Sequence, residues 1–126
     1  MGTINVNLIA DNGGGSNVTV QGEGTNTTNL VQGLCKAWCH YTTASSFTEH
    51  GSFNVSSLSD EGAGMCKCNF TNVMANDDFA KAIAQGENHG NDQSDSTDFM
   101  FMQTVNNSHA AADSNRSSQT AFGDLA

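Results

Sequence analysis

The residues best equipped for chemistry in this chain are Cys35, Cys39, Cys66 and Cys68, with His40 beside Cys39. Thiols and imidazoles bind soft metals, pair as disulfides or act as nucleophiles. The cysteine spacings are C-x3-C and C-x-C. Zinc knuckles place their cysteines on tight turns, whereas both pairs here fall inside runs that alternate apolar and polar residues. Alternate residues of a strand lie about 7 Å apart. Cys66 and Cys68 can therefore share a metal, yet they exceed the usual disulfide range of Cα separations. A cross-strand pair, Cys39 with Cys66 or Cys68, is allowed. Free cysteine is also among the most buried residue types and packs as a small hydrophobe. In a reducing compartment the expectation runs from buried thiols, through a cross-strand disulfide, to a metal site and last to catalysis.

The remaining candidates are weaker. His40, His50, His89 and His109 are scattered, with no H-E-x-x-H, G-x-S-x-G or paired nucleophile motif around them. Asp92, Asp95 and Asp98 recur in one acidic stretch and offer oxygen ligands of the kind Ca²⁺ takes, without the EF-hand pattern; a solvated loop is the plainer expectation. Matches to the glycosylation acceptor pattern are what chance supplies in a chain this rich in Asn, Ser and Thr. "NGGG" and "GEG" do not make a phosphate loop.

Strands must position these groups. In "LCKAWCHYTT", Cys35, Ala37, Cys39 and Tyr41 share one face and Leu34, Lys36, Trp38 and His40 the other. Residues 51–58 and 63–71 are two further runs; Phe53 and Val55 mark the core face of the first, and Cys66, Cys68 and Phe70 that of the second. "TDFMFMQTV" (97–105) has Phe99 and Phe101 on one face and Met100 and Met102 on the other, as if buried on both. Phe122 anchors the last strand. The core expected is thus Ala37, Cys39, Tyr41, Phe53 and Val55, with Cys66, Cys68, Phe70, Phe99, Phe101 and Phe122. "NDDFAKAIAQG" (76–86) carries helix signals, an Asn76 or Asp77 cap and a Gly86 stop, but also alternates as a strand.

Residues 1–33 read as two short strands, around Ile4, Val6 and Leu8 and around Val18 and Val20, on polar links at 10–17 and 21–29. Two strands are marginal alone in water, so these five apolar residues are candidates for oligomerisation. Residues 34–126 form the main domain. Two long polar stretches, 85–98 and 106–118, are candidate surface-contact loops; exposed loops on a rigid scaffold are where binding residues concentrate. The contact residues expected there are Asn88, His89, Asn91, Asp92 and Asp95 in the first, and His109, Asn115 and Arg116 in the second.

The net charge of −9, against only Lys36, Lys67, Lys81 and Arg116, excludes nucleic acid as a partner, since phosphate binding needs a cationic footprint. Anionic membranes are excluded likewise, and no segment has the run of about 20 apolar residues that spans a bilayer. The first residues lack the basic and continuous apolar regions of a signal peptide, so synthesis in a reducing cytoplasm is expected.

The ordered run "LCKAWCHY…GSFNVSSLSDEGAGMCKCNFTNVMANDDFA…FGDLA" resembles a β-domain family of marine bacteriophages, found in tail-fibre-like proteins of phages of cyanobacteria and pelagic bacteria. The matching residues are Lys36, Ala37, Trp38 and Tyr41, then Ser52 to Leu58, Asp60, Gly62, Gly64, and Asn69 to Thr71. The likeness covers residues 34–80 well, the C-terminus loosely and 81–117 hardly at all. Cys39, Cys66 and Cys68 stand where the family has Val, Tyr and Val, which implies thiols as core filler, and a strand near Phe79. The resemblance implies a non-enzymatic virion protein without cofactor or metal, assembled in the host bacterial cytoplasm. It would be a tail fibre or short surface fibre contacting a host-surface glycan or protein, with other virion proteins as partners. The alternative is a capsid decoration protein. A more remote one is a metal-binding or hydrolytic domain using the cysteines and His40. The fold expected is all-β: an antiparallel β-sandwich-like domain with a short N-terminal strand segment, intertwined as a homotrimer.

Overall fold

Alternation of inward and outward side chains is the physical signature of a strand with one face in a core, and it recurs along the second part of the chain. In the computed structural model, residues 6, 8–9, 18–23, 25–44 and 47–126 are described. The chain divides into two units, Met1–Leu34 and Cys35–Ala126.

The first unit contains β1 (Thr19–Glu23) and β2 (Asn26–Asn29), paired antiparallel, followed by the single turn α1 (Leu30–Gly33). Asn29 caps that turn, its side chain accepting from Gln32 N at 3.1 Å. The stretch 21–29, expected as a link, is therefore mostly hairpin. Thr and Asn at these positions pair through their backbones, which apolar periodicity does not report. Val18 precedes β1 and Val20 lies exposed within it. Val6 and Leu8 are exposed and outside any strand, against expectation. Ile4 lies outside the described residues.

Among its described residues the second unit has eight strands: β3 (Ala37–Thr42), β4 (Thr48–Phe53), β5 (Val55–Gly62), β6 (Met65–Phe70), β7 (Ala80–Gln85), β8 (His89–Asp92), β9 (Phe99–Val105) and β10 (Ser117–Phe122). They form two four-stranded antiparallel sheets, β4-β3-β10-β7 and β5-β6-β9-β8. β7, β8 and β9 follow in sequence and β10 returns beside β7, the Greek-key order. The expected all-β sandwich is the fold observed. The β3–β4, β5–β6, β7–β8 and β9–β10 connections lie at one end. The others and the C-terminus lie at the opposite end, where Ala75 N and Ala126 N donate to Asp124 O and Val73 O.

The core is Ala37, Cys39 and Tyr41 from β3, Cys66, Cys68 and Phe70 from β6, Met100 and Met102 from β9, and Ala121, with Met74 and Phe79 from the connection between β6 and β7. Residues 80–85 are strand, and Asn76 accepts from Asp78 N in a local turn rather than capping a helix. Gln119 and Ser117, also buried, line the inner face of β10.

Four expected core positions are corrected. Phe53 is 55% exposed. Residues 51–58 are not one strand: Asn54, at φ 56°, turns the chain from one sheet into the other. Asn tolerates this left-handed region better than most residues. Its side chain holds the corner by accepting from Asn72 N at 2.7 Å and donating to Asn72 O at 2.9 Å. Phe53 thereby ends on the outer face of the first sheet, while Val55 packs half-buried against the core. On β9 the inner residues are Met100 and Met102, opposite Cys68 and Cys66; Phe99 and Phe101 lie half-buried on the outer face. Small thiols leave depth that flexible methionines fill. Phe122 is half-buried beside fully buried Ala121.

The 85–98 stretch contains strand β8, although it has almost no apolar residue. Its partner β9 supplies backbone hydrogen bonds. Gly90 is required there, because a Cβ would come under 3.0 Å from Ile83 Cγ2.

Candidate contact surface

The cysteine and His40 constellation does not come together. Cys39 points into the core and His40, its neighbour, points out by the alternation of β3. The His40 ring instead lies 5.1 Å from that of His50, whose Nε2 is 2.8 Å from Thr42 Oγ1. Cys35 stands apart, its thiol donating to Ala37 O at 3.1 Å. Cys39, Cys66 and Cys68 gather where the sheets face each other, with the Gln119 amide donating from Nε2 to Tyr41 OH at 2.8 Å and lying 3.4 Å from Cys68 Sγ. Hydrogen bonds with the Cys39 and Cys66 thiols, then burial, push the Cys68 thiol far above its ordinary range. Burial, then the Cys66 and Cys68 thiols, push the Tyr41 phenol up as well. A thiol so held stays protonated and is a poor nucleophile. All four cysteines are free. Facing sheets pack about 10 Å apart, whereas disulfide Cα atoms sit about 4.4–6.8 Å apart, so closing a bridge from Cys39 to the other sheet would need a backbone shift. Among the described residues no three His, Cys, Asp or Glu side chains are grouped to hold a metal ion.

The expected contact residues divide between two places. Asn88, His89, His109, Asn115 and Arg116 collect at the end formed by residues 86–88 and 106–116. His89 Nε2 is 3.1 Å from Asn107 Oδ1, Asn88 Nδ2 donates to Asp113 O at 2.9 Å, and Asn115 Nδ2 donates to Glu87 at 3.2 Å. His109, at φ 58°, closes a tight turn built on Asn106, whose side chain accepts from Ser108 N and Ala110 N. Several bonds anchor this long connection, among them Asp113 accepting from Gly64 N at 2.6 Å, Ser114 N donating to Thr43 Oγ1 at 2.8 Å and Thr43 N donating to Ser114 O at 3.0 Å. The result is a cross-linked polar surface with exposed amides, imidazoles and carboxylates.

Asn91, Asp92 and Asp95 do not join it. Asn91 is exposed on edge strand β8. Asp92 and Asp95 are bound to Lys81, whose side chain is only 3% exposed and which also donates to Phe101 O. Asp95 accepts from Phe101 N at 2.7 Å as well. A lysine thus occupies the position that the acidic cluster offered to Ca²⁺. Glu87, Asn107, Asp113 and Thr42 belong to the polar end without having been singled out by sequence, and His50, named there only as a scattered histidine, joins them through Thr42; only the sheet crossovers bring them there.

The outer face of the second sheet is satisfied within itself. Lys67 Nζ lies 4.9 Å and 5.2 Å from the Phe99 and Phe101 ring centroids and 3.1 Å from Glu61. Asn69 Nδ2 donates to Ser57 and Ser59 hydroxyls. No protein-family model, curated protein or solved structure matches the chain.

Proposed function

We propose that this chain is a non-enzymatic structural protein of a bacteriophage particle, part of a tail fibre or short surface fibre, that assembles as a homotrimer and touches the host surface through its polar loop end. The observation that carries this is the division of labour within the chain. The stretch with the phage-fibre likeness, 34–80, supplies β3, β4, β5, β6 and the Asn54 corner, which are scaffold. The stretch where it fades, 81–117, supplies β7 from Lys81 onward, β8 and β9, with Met100 and Met102 in the core, and also the loops 86–88 and 106–116 that meet at one end. A common scaffold with divergent loops at one end suits a receptor-contacting domain. The exposed Asn, His and Glu groups there match the hydrogen-bonding needs of a glycan or polar protein surface, and repetition across copies would turn weak contacts into attachment.

Labelling intact particles with an antibody against this chain, followed by electron microscopy, tests the proposal. Label on the tail or on fibres is the expected result. Label confined to the head replaces it with the decoration alternative, and particles without label overturn the virion assignment.

A further inference from the structure

We propose that His40 and His50 together bind one divalent transition-metal ion of the kind imidazole prefers, with water in its remaining positions. Two protein ligands make the site, not a cluster of three, and it stands apart from the particle assignment above. β3 and β4 pair in regular register from Trp38 with Phe53 to His40 with Gly51. The register then slips by one, so that Tyr41 meets Glu49 and His50 is the extra residue. A bulge of this kind re-aims a side chain. Phe53 and Gly51 lie opposite Trp38 and His40 on the outer face, and strict alternation would turn His50 inward. The bulge brings it out instead. Its ring centre lies 5.1 Å from that of His40, with the two planes tilted by 47°.

Hydrogen bonding decides which nitrogens are free. The Thr42 hydroxyl donates its one proton to Asn115 O at 2.8 Å, so toward His50 Nε2, also at 2.8 Å, it only accepts. Neutral His50 therefore carries its proton on Nε2 and presents a lone pair at Nδ1. Metal-binding histidines are fixed in tautomer and orientation by just such a bond from the other ring nitrogen. Among the described residues His40 makes no hydrogen bond through its ring; its ring contact is with His50. Its neighbours across the sheet, Gly51, Ser118 and Ala84, are small and uncharged, which leaves the imidazole room to turn. The spacing fits a shared ion. Nitrogen ligands lie about 2.0–2.1 Å from such an ion, each ring centre about 3.2 Å, and two imidazoles in adjacent positions then have centres about 4.5–5.2 Å apart. The observed 5.1 Å falls inside that range. Imidazoles select Zn²⁺, Ni²⁺ and Cu²⁺ over Ca²⁺ and Mg²⁺, which take oxygen ligands. The net charge of −9 draws cations to the molecule. An ion held here ties edge strand β4 to β3 and keeps positions open for a ligand from outside the chain.

Trp38 reports on the site. It is the chain's single tryptophan, two residues from His40, and a Cβ on Gly51, the residue after His50, would lie 3.5 Å from its ring. Ni²⁺, a paramagnetic quencher, is titrated into the untagged full chain carrying Cys35→Ser, which removes the one thiol that is not buried. The expected result is saturable quenching of Trp38 at one ion per chain. Zn²⁺ should reverse it by competition, and Ca²⁺ at the same concentration should not. His40→Asn and His50→Asn should each weaken binding at least about 10-fold. Thr42→Val should weaken it about 10-fold, as loss of an outer-shell partner does, and Thr42→Ser, which keeps the hydroxyl, should stay within about twofold. Circular dichroism checks that each variant is folded; if His40→Asn is not, His50→Asn, exposed on an edge strand, decides. Four results each overturn the proposal: no saturable quenching, binding unmoved in folded His50→Asn, binding unmoved in Thr42→Val, or Ca²⁺ displacing Ni²⁺ as well as Zn²⁺ does.

Discussion

Lys81→Met is the sharpest test of how this sandwich is held together. The lysine ammonium is enclosed, with 3% of its side chain exposed, and binds Asp92, Asp95 and the Phe101 carbonyl. Asp95 is 13% exposed and also accepts from Phe101 N. Methionine keeps the length and the apolar stem but removes the cation, leaving the Asp95 carboxylate in a poorly hydrated place. Breaking a buried pair in this way costs about 3–5 kcal/mol. The partner Asp92 is 71% exposed and regains water freely, so the lower end, about 3 kcal/mol, is expected. For a domain of this size that lowers Tm by about 12–20 °C. Urea unfolding monitored by circular dichroism measures the change. Adding Asp95→Asn neutralises the stranded charge and should recover more than half of the loss. A single variant within about 1 kcal/mol of the parent, or a double variant no better than the single, refutes the account, because the loss would not then come from an unpaired carboxylate.

Two glycines of the β5–β6 turn separate backbone strain from crowding. Gly62 (φ 125°) faces open space, whereas a Cβ on Gly64 (φ 67°) would lie under 3.0 Å from Ala112 O and from Thr104 Oγ1 and O. Gly62→Ala should cost about 1–3 kcal/mol, and Gly64→Ala clearly more, in the same unfolding measurement. With Ellman's reagent, Cys35 should react in the native protein and Cys39, Cys66 and Cys68 only after unfolding; fast native reaction of all four would contradict the buried thiol trio. The raised Cys68 and Tyr41 values have a definite sign. The folded state keeps protons that the unfolded state releases above about 9.0 and 10.0, so these groups add full stability below that range and lose it as pH rises. The urea midpoint should therefore fall between pH 8 and pH 10.5, by up to about 1.4 kcal/mol per pH unit for each group. An unchanged midpoint would show that neither group is held protonated.

The two segments most legible in the sequence were β3 and β6. In each, small or apolar residues alternate with polar ones, and burial of one face demands that alternation. β9 was legible as a strand but not in its orientation, since Met and Phe occupy opposite faces and either set suits a core. Pairing with β6 chose methionine, because the residues opposite are thiols. β8 was invisible, its stability coming from backbone pairing on an edge. The loop end was half legible: polar composition marked 85–98 and 106–118 as exposed, but Asp92 and Asp95 look no different in sequence from Glu87 and Asp113. One pair meets a buried lysine fourteen or fewer residues away in the chain, and the other joins contacts that span two crossovers.

What the residues by themselves determined, then, was the strand character of the chain, the inward thiols and the anionic surface, because each follows from local periodicity or from a sum of charges. Which face of β9 is inside, that Phe53 leaves the core at the Asn54 corner, and that Trp38 and Phe53 stand side by side on a neutral sheet were decided only by tertiary structure. Those outcomes depend on which strand lies next to which, and sheet crossovers set that through contacts between residues far apart in the chain.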